Sequence, residues 1–204
     1  LEVAEAWASA EPAPRRSAIF LASTAEESGF LGVVSYIENP AVPLAKTLAA
    51  INIDGVNVFG PTEDVWIVGE GLTTLEDDLE AVLKSTGRYL SPDPAPEEGN
   101  FFRSDHFPFA LAGVPALCVR PGTTYVGRPD GYGREVWSDY YSNRYHRPSD
   151  EFDESWDFDS TAQDVKTMLE VALRVSANDA RPDWYPGNQY KTSREAMLRE
   201  TTSP

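Results

Sequence analysis

SAIFLASTAEESGFLGVVSYIE, residues 17–38, sets a short apolar run directly ahead of a helical repeat. Ser17 to Ser23, with Ile19, Phe20 and Leu21 at its centre, reads as a strand buried on both faces, which implies a parallel type of sheet. From Gly29 the apolar residues Phe30, Leu31, Val34 and Ile37 recur at helical spacing until Asn39 and Pro40 stop them. A strand followed at once by a helix is the signature of α/β alternation. Between the two lie Glu26 and Glu27, just past the C-terminal end of the strand, where open α/β sheets place ligands and catalytic groups. An adjacent acid pair in a loop also describes a solvated surface, because such side chains are mostly exposed. The pair gains meaning only from its company.

Reading outward, the alternation continues. Thr47 to Asp54 (TLAAINID) is a second apolar run ending in a carboxylate, and Val65 to Val68 is a third candidate strand after the turn at Gly60 and Pro61. Thr74 to Gly87 predicts a helix with Leu75, Leu79, Val82 and Leu83 on one stripe, acids in the first turn and a closing glycine. Ser104 is placed to cap a short helix through Ala112, and Val114 to Val119 reads as a further buried strand. Residues 122–156 break into glycines, aromatics and charges, which predicts a long irregular loop of the kind that carries function. Asp159 to Ala177 returns to helix, and the chain beyond Asn178 is polar and proline-marked, with residues 186–204 read as a tail. Upstream, Leu1, Ala4, Trp7 and Ala8 keep helical spacing until Pro12 and Pro14. One domain over 1–204 is the simplest organisation for this length.

The composition is that of a globular protein, 41% hydrophobic and 25% charged. A formal charge of -16 repels phosphate backbones, so nucleic acid is not an expected partner. No apolar run approaches the roughly 18 residues that span a bilayer, and no membrane partner is expected. Cys118 is the single cysteine, so neither an internal disulfide nor a cysteine-built zinc site is available, and in the run VPALCVR it reads as a small buried hydrophobe.

Two residues join the acid pair as candidates. Asp54 ends a buried run, and His146 lies in the loop sequence YHRPSD. Carboxylate oxygens and an imidazole nitrogen form a ligand set suited to zinc, although a turn residue before Gly55 and a surface histidine describe the same two residues.

Four stretches in order, FLASTAEESGFLG, NIDGVNVFG, FRSDHFPFALAGVPAL and YHRPSDEF, resemble the co-catalytic zinc aminopeptidases, relatives of bacterial leucyl aminopeptidases and glutaminyl cyclases. The resemblance runs from about Ser17 to Tyr185 and implies a three-layer α/β/α fold around a mixed, mostly parallel sheet. It implies that Glu26 is the general base acting on zinc-bound water, that Glu27 and His146 ligate one zinc, and that Asp54 ligates a second. Tyr145 matches a position whose hydroxyl helps hold the oxyanion. Asp105 and His106 support the site in similar proteins, and Phe107, Phe109 and Trp137 are candidates to wall an apolar pocket. The family pattern also includes a histidine and an aspartate, joined by one residue, upstream of the acid pair, and residues 1–25 contain neither arrangement. The expectation that follows is a chain incomplete on its N-terminal side, inactive by itself, prone to self-association or to pairing with an upstream segment. A peptide substrate and an extracytoplasmic location follow from resemblance to exported bacterial members. Two other functions share these residues: a glutaminyl-cyclase-like acyl transfer with one zinc and an acid at Asp105, and a peptidase-fold binding domain without chemistry.

Overall fold

The computed structural model describes residues 1–200. In chain order the main elements are α1 (Glu2–Ala8), α2 (Leu31–Glu38), β1 (Ala50–Asn52), β2 (Asp64–Ile67), α3 (Leu75–Thr86), β3 (Tyr89–Leu90), α4 (His106–Leu111), β4 (Ala116–Pro121), α5 (Tyr132–Asn143), α6 (Phe158–Ala177) and α7 (Gln189–Glu200). The strands form one mixed sheet in the order β1-β4-β2-β3, in which β1 runs parallel to β4, β2 antiparallel to β4 and β3 parallel to β2. Helices cover both faces, as a three-layer α/β/α fold requires.

Period-two alternation distributes the side chains of β4 between the layers. Leu117 joins Val65 and Ile67 of β2 beneath α3 and α6, whose Leu75, Leu79, Val82, Leu83, Met168, Val171 and Val175 make one core. Ala116 faces the other way and meets Ala110, Trp184 and Tyr190 from the segment around α4 and α7. The stripe read from the sequence of α3 is thus the stripe that is buried. Asp157 caps α6 by accepting the amide hydrogens of Asp159 at 2.9 Å and Ser160 at 3.3 Å. No helix among the described residues is long and apolar enough to cross a membrane.

Four local expectations need correction. Residues 17–23 form no strand, and Ile19, Phe20 and Leu21 stand 50%, 52% and 41% exposed. A strand exists only through its neighbours, and among the described residues no backbone group of this run is bonded to a neighbouring strand. The predicted irregular loop contains α5, whose aromatic residues form a run of ring contacts instead of an apolar stripe, so no helical period was visible. The predicted polar tail carries α7, anchored by buried Tyr190 and Arg194. Arg194 donates to the carbonyls of Thr47 at 3.0 Å and Leu44 at 3.3 Å, and its backbone comes so near Gly113 that a Cβ there would lie 2.5 Å from its nitrogen. Residues 201–204 of that tail lie outside the described residues. Ser104 does not cap α4, because its hydroxyl is used elsewhere.

Candidate active site

The acid pair sits on a 3-10 turn, Glu26–Ser28, between the extended segment and α2. Ala25 enters that turn with φ 56, Phe30 leaves it with φ 60, and His146 has φ 57. These are the non-glycine residues with positive φ among those described, and all three border the same site. Left-handed backbone is unfavourable for residues bearing a Cβ and persists where surrounding structure enforces it, often at functional sites. Gly32 supplies part of that enforcement: its amide donates to the Thr24 carbonyl at 2.9 Å, and a Cβ on it would meet the Thr24 nitrogen at 2.5 Å. The chain is thereby folded back over the start of α2.

Across 119 residues of sequence, His146 Nε2 meets Glu27 Oε1 at 2.9 Å. The Tyr145 ring stacks on the imidazole with centroids 3.8 Å apart, which fixes the plane of the ring. Asp54 lies two residues past β1. Its Oδ2 accepts from Ser104 Oγ at 2.5 Å and from Arg120 Nη2 at 3.0 Å, and Arg120 also donates to its backbone carbonyl. Ser104 Oγ in turn accepts from Asn52 Nδ2 at 2.7 Å.

Glu26 is held above the ordinary carboxylate range, first by burial, then by the charges of Glu27, Asp54 and Asp105, with Arg120 pulling the other way. The Tyr145 hydroxyl is likewise pushed up, by burial first and then by Glu27. Glu26, Glu27, Asp54, Tyr145 and His146 therefore share one electrostatic neighbourhood, and only Glu27 and His146 touch through their polar atoms.

This donor set fits zinc by type and only partly by number. A catalytic zinc takes about three protein ligands. The Glu27 carboxylate and the His146 imidazole present an oxygen and a nitrogen toward one place, whereas Asp54 is bound by Arg120 and Ser104. Among the described residues no three His, Cys, Asp or Glu side chains converge on one cation position. Glu27 and His146 would hold one ion, and Asp54, whose Oδ2 is taken by Ser104 and Arg120, would offer its Oδ1 to a second.

Arg120 and Asn52 are residues that sequence reading passed over, and Ser104 is one that it read only as a helix cap. Arg120 stands near the C-terminal end of a core strand, the same positional rule that drew attention to Asp54. His106 is buried with both ring nitrogens unpartnered, and burial lowers it to about 4, so it stays neutral against the edge of Phe101 at 5.0 Å. Asp105 accepts a hydrogen bond from Ser23. Phe107 and Phe109 pack with Phe30 and Tyr36 near α2, while Trp137 belongs to a separate run of rings with Phe59, Tyr140 and Tyr141. The expected common apolar pocket is therefore two separate packing regions.

Cys118 is fully buried, and burial pushes its thiol up to about 11. Reactivity follows the thiolate. Native protein at neutral pH is expected to leave Cys118 unmodified by a thiol reagent over hours and to react stoichiometrically once denaturant is added, a difference read by mass spectrometry.

The sequence matches the model of peptidase family M28 over residues 1–174. Comparison with curated proteins and with solved structures gave no match. The match spans the acid pair, the Asp54 turn, the segment around Ser104 and the Tyr145-His146 loop. Zinc is the metal that this family typically binds. With that span and the fold above, the chain belongs to peptidase family M28, a family of zinc-dependent peptidases that includes the co-catalytic aminopeptidases and their glutaminyl-cyclase-like relatives.

Proposed function

We propose that the protein acts as an aminopeptidase, removing residues from the free N-terminus of peptides. The observation that carries the reading is the Glu26-Glu27 turn, in which one carboxylate meets His146 at 2.9 Å while its neighbour is made more basic by burial and by surrounding acids. When bound, zinc supplies Lewis acidity, lowering the pKa of water and polarising the scissile carbonyl. Glu27 and His146 would hold one ion and Asp54 the other. Glu26 accepts the proton of the attacking water at its carboxylate and returns it to the departing amine nitrogen. The Tyr145 hydroxyl, on a ring held against His146, donates to the developing oxyanion. The crowd of carboxylates at Glu26, Asp54 and Asp105 favours a substrate that presents an ammonium group, which separates an aminopeptidase from a peptidase that cuts inside a chain. Resemblance to exported bacterial members supports an extracytoplasmic location.

The test uses the full-length protein supplied with zinc, a short peptide beginning with leucine and its N-acetylated form, with products followed by mass spectrometry. Stepwise loss of residues from the free peptide and none from the blocked one is expected. Cleavage of both at similar rates would overturn the reading, and ring closure of an N-terminal glutamine peptide without hydrolysis would move the activity to acyl transfer.

A further inference from the structure

A cavity of about 640 Å³ opens around Phe59, Tyr125 and Trp156, within the roughly 300–1,000 Å³ that small-ligand pockets occupy. Its wall carries two guanidinium groups, Arg128 and Arg144, with the rings of Phe59, Tyr125, Tyr132 and Trp156 between them. Two cations on one cavity wall stand out in a chain of net charge -16. Arg144 is paired with Asp153 at 2.9 Å. Arg128 is different: its guanidinium lies 4.9 Å from the centre of the Tyr132 ring, and among the described residues it has no carboxylate partner. The carboxylate on the same wall, Asp157, is engaged by the first amides of α6. The Tyr125 hydroxyl is turned away to Asn57 Oδ1 at 3.0 Å, leaving its ring as the apolar surface.

The cavity wall is linked to the candidate active site through packed aromatic rings. Arg144 is two residues from His146, and Phe59 touches Tyr140 at 6.0 Å, whose ring meets Tyr145 at 5.9 Å. An arginine fork above aromatic walls recognises a planar carboxylate attached to an apolar or aromatic body.

We propose that this cavity binds the carboxylate end of short peptide substrates, with Arg128 as the anchoring cation and the ring wall holding the terminal side chain. This rests on the aminopeptidase reading for the identity of the ligand. It implies a preference for short peptides with a free carboxyl terminus over the same peptides as amides. A free aromatic acid presents the same chemistry without any bond to cleave, and so probes the cavity alone.

Binding of N-acetylphenylalanine, and of its amide, is to be measured by titration calorimetry on the whole chain and on Arg128→Gln and Arg128→Lys. Loss of a charge-assisted hydrogen bond corresponds to roughly 10- to 100-fold in affinity. The expected result is that the acid binds at least about tenfold more tightly than the amide, that Arg128→Gln erases the difference and that Arg128→Lys keeps part of it. Equal binding of acid and amide, or a preference unchanged in Arg128→Gln, would overturn the proposal. In a parallel assay, turnover of a leucine tripeptide and its amide separates the two sources. Acid binding without any turnover removes the peptide and leaves a free carboxylate as the ligand, whereas turnover with no acid preference removes the cavity proposal and leaves the aminopeptidase reading standing.

Discussion

Glu26→Gln is expected to lower kcat by about 10²-fold or more in zinc-loaded protein, with zinc content and thermal stability close to those of the parent. The glutamine keeps the size and hydrogen-bonding shape of the side chain and removes its ability to take a proton. Glu26 already sits among Glu27, Asp54 and Asp105, whose charges raise its proton affinity, so losing its negative charge relieves repulsion in the fold. The mutation should therefore be neutral or slightly favourable for folding while being severe for turnover. Metal analysis alongside kinetics separates the roles of the two neighbours: Glu27→Gln removes the negative charge of the carboxylate that meets His146 and should lower zinc content itself. Full turnover by the Glu26→Gln protein would remove Glu26 from the chemistry.

The second large effect lies far from that turn. Arg88 is buried beside β2, where its guanidinium donates to Asp164 at 2.9 Å, Thr62 Oγ1 at 2.8 Å, Thr167 Oγ1 at 3.2 Å and the Asp64 carbonyl at 3.2 Å. It thereby ties α6 to the sheet. Arg88→Ala leaves the Asp164 carboxylate, largely buried, without its cation, and breaking a buried pair of this kind costs about 3–5 kcal/mol. Asp164 is raised above the usual carboxylate range by burial, with Arg88 opposing the rise. For a carboxyl raised on folding, the folded state binds the proton more tightly than the unfolded chain. Stability is therefore highest while Asp164 is protonated and falls as pH climbs from the unfolded value through the folded one. Without Arg88 the folded value rises further, so the deficit of the variant should widen toward neutral pH and narrow in acid. Urea unfolding of both proteins across that range measures it, and a deficit below about 1 kcal/mol at neutral pH would show the pair to be dispensable.

How much of this was legible in the sequence differs by element. The helices α3 and α6 announced themselves because their cores are made by one stripe each, so period and burial coincide. β1 and β4 were visible as apolar runs because both faces of the sheet are covered. Helix α5 was not, since Trp137, Tyr140 and Tyr141 satisfy one another through ring contacts and leave no stripe facing a core. α7 was hidden because two residues, Tyr190 and Arg194, do the anchoring in an otherwise polar segment. The run at Ile19 to Leu21 misled in the opposite direction, since composition alone cannot state whether a neighbour is present to pair with. At the site, Glu27, His146 and Asp54 were named as candidates by residue type and resemblance, and the structure sets Glu27 and His146 2.9 Å apart. The Arg120 contact to Asp54 depends on two strands lying side by side, and no local pattern encodes that.

That adjacency has a mechanical side. β1 and β4 run in parallel with Asn52 opposite Cys118. Two steps further along both strands the same alignment sets Asp54 across from Arg120. Side chains alternate between faces, so sliding β4 by a single residue would carry the guanidinium to the wrong side of the sheet and strand the carboxylate. The packing of Leu117 under α3 and α6, which forbids that slide, therefore acts as the gauge block that sets where an acid on one strand meets a base on the next.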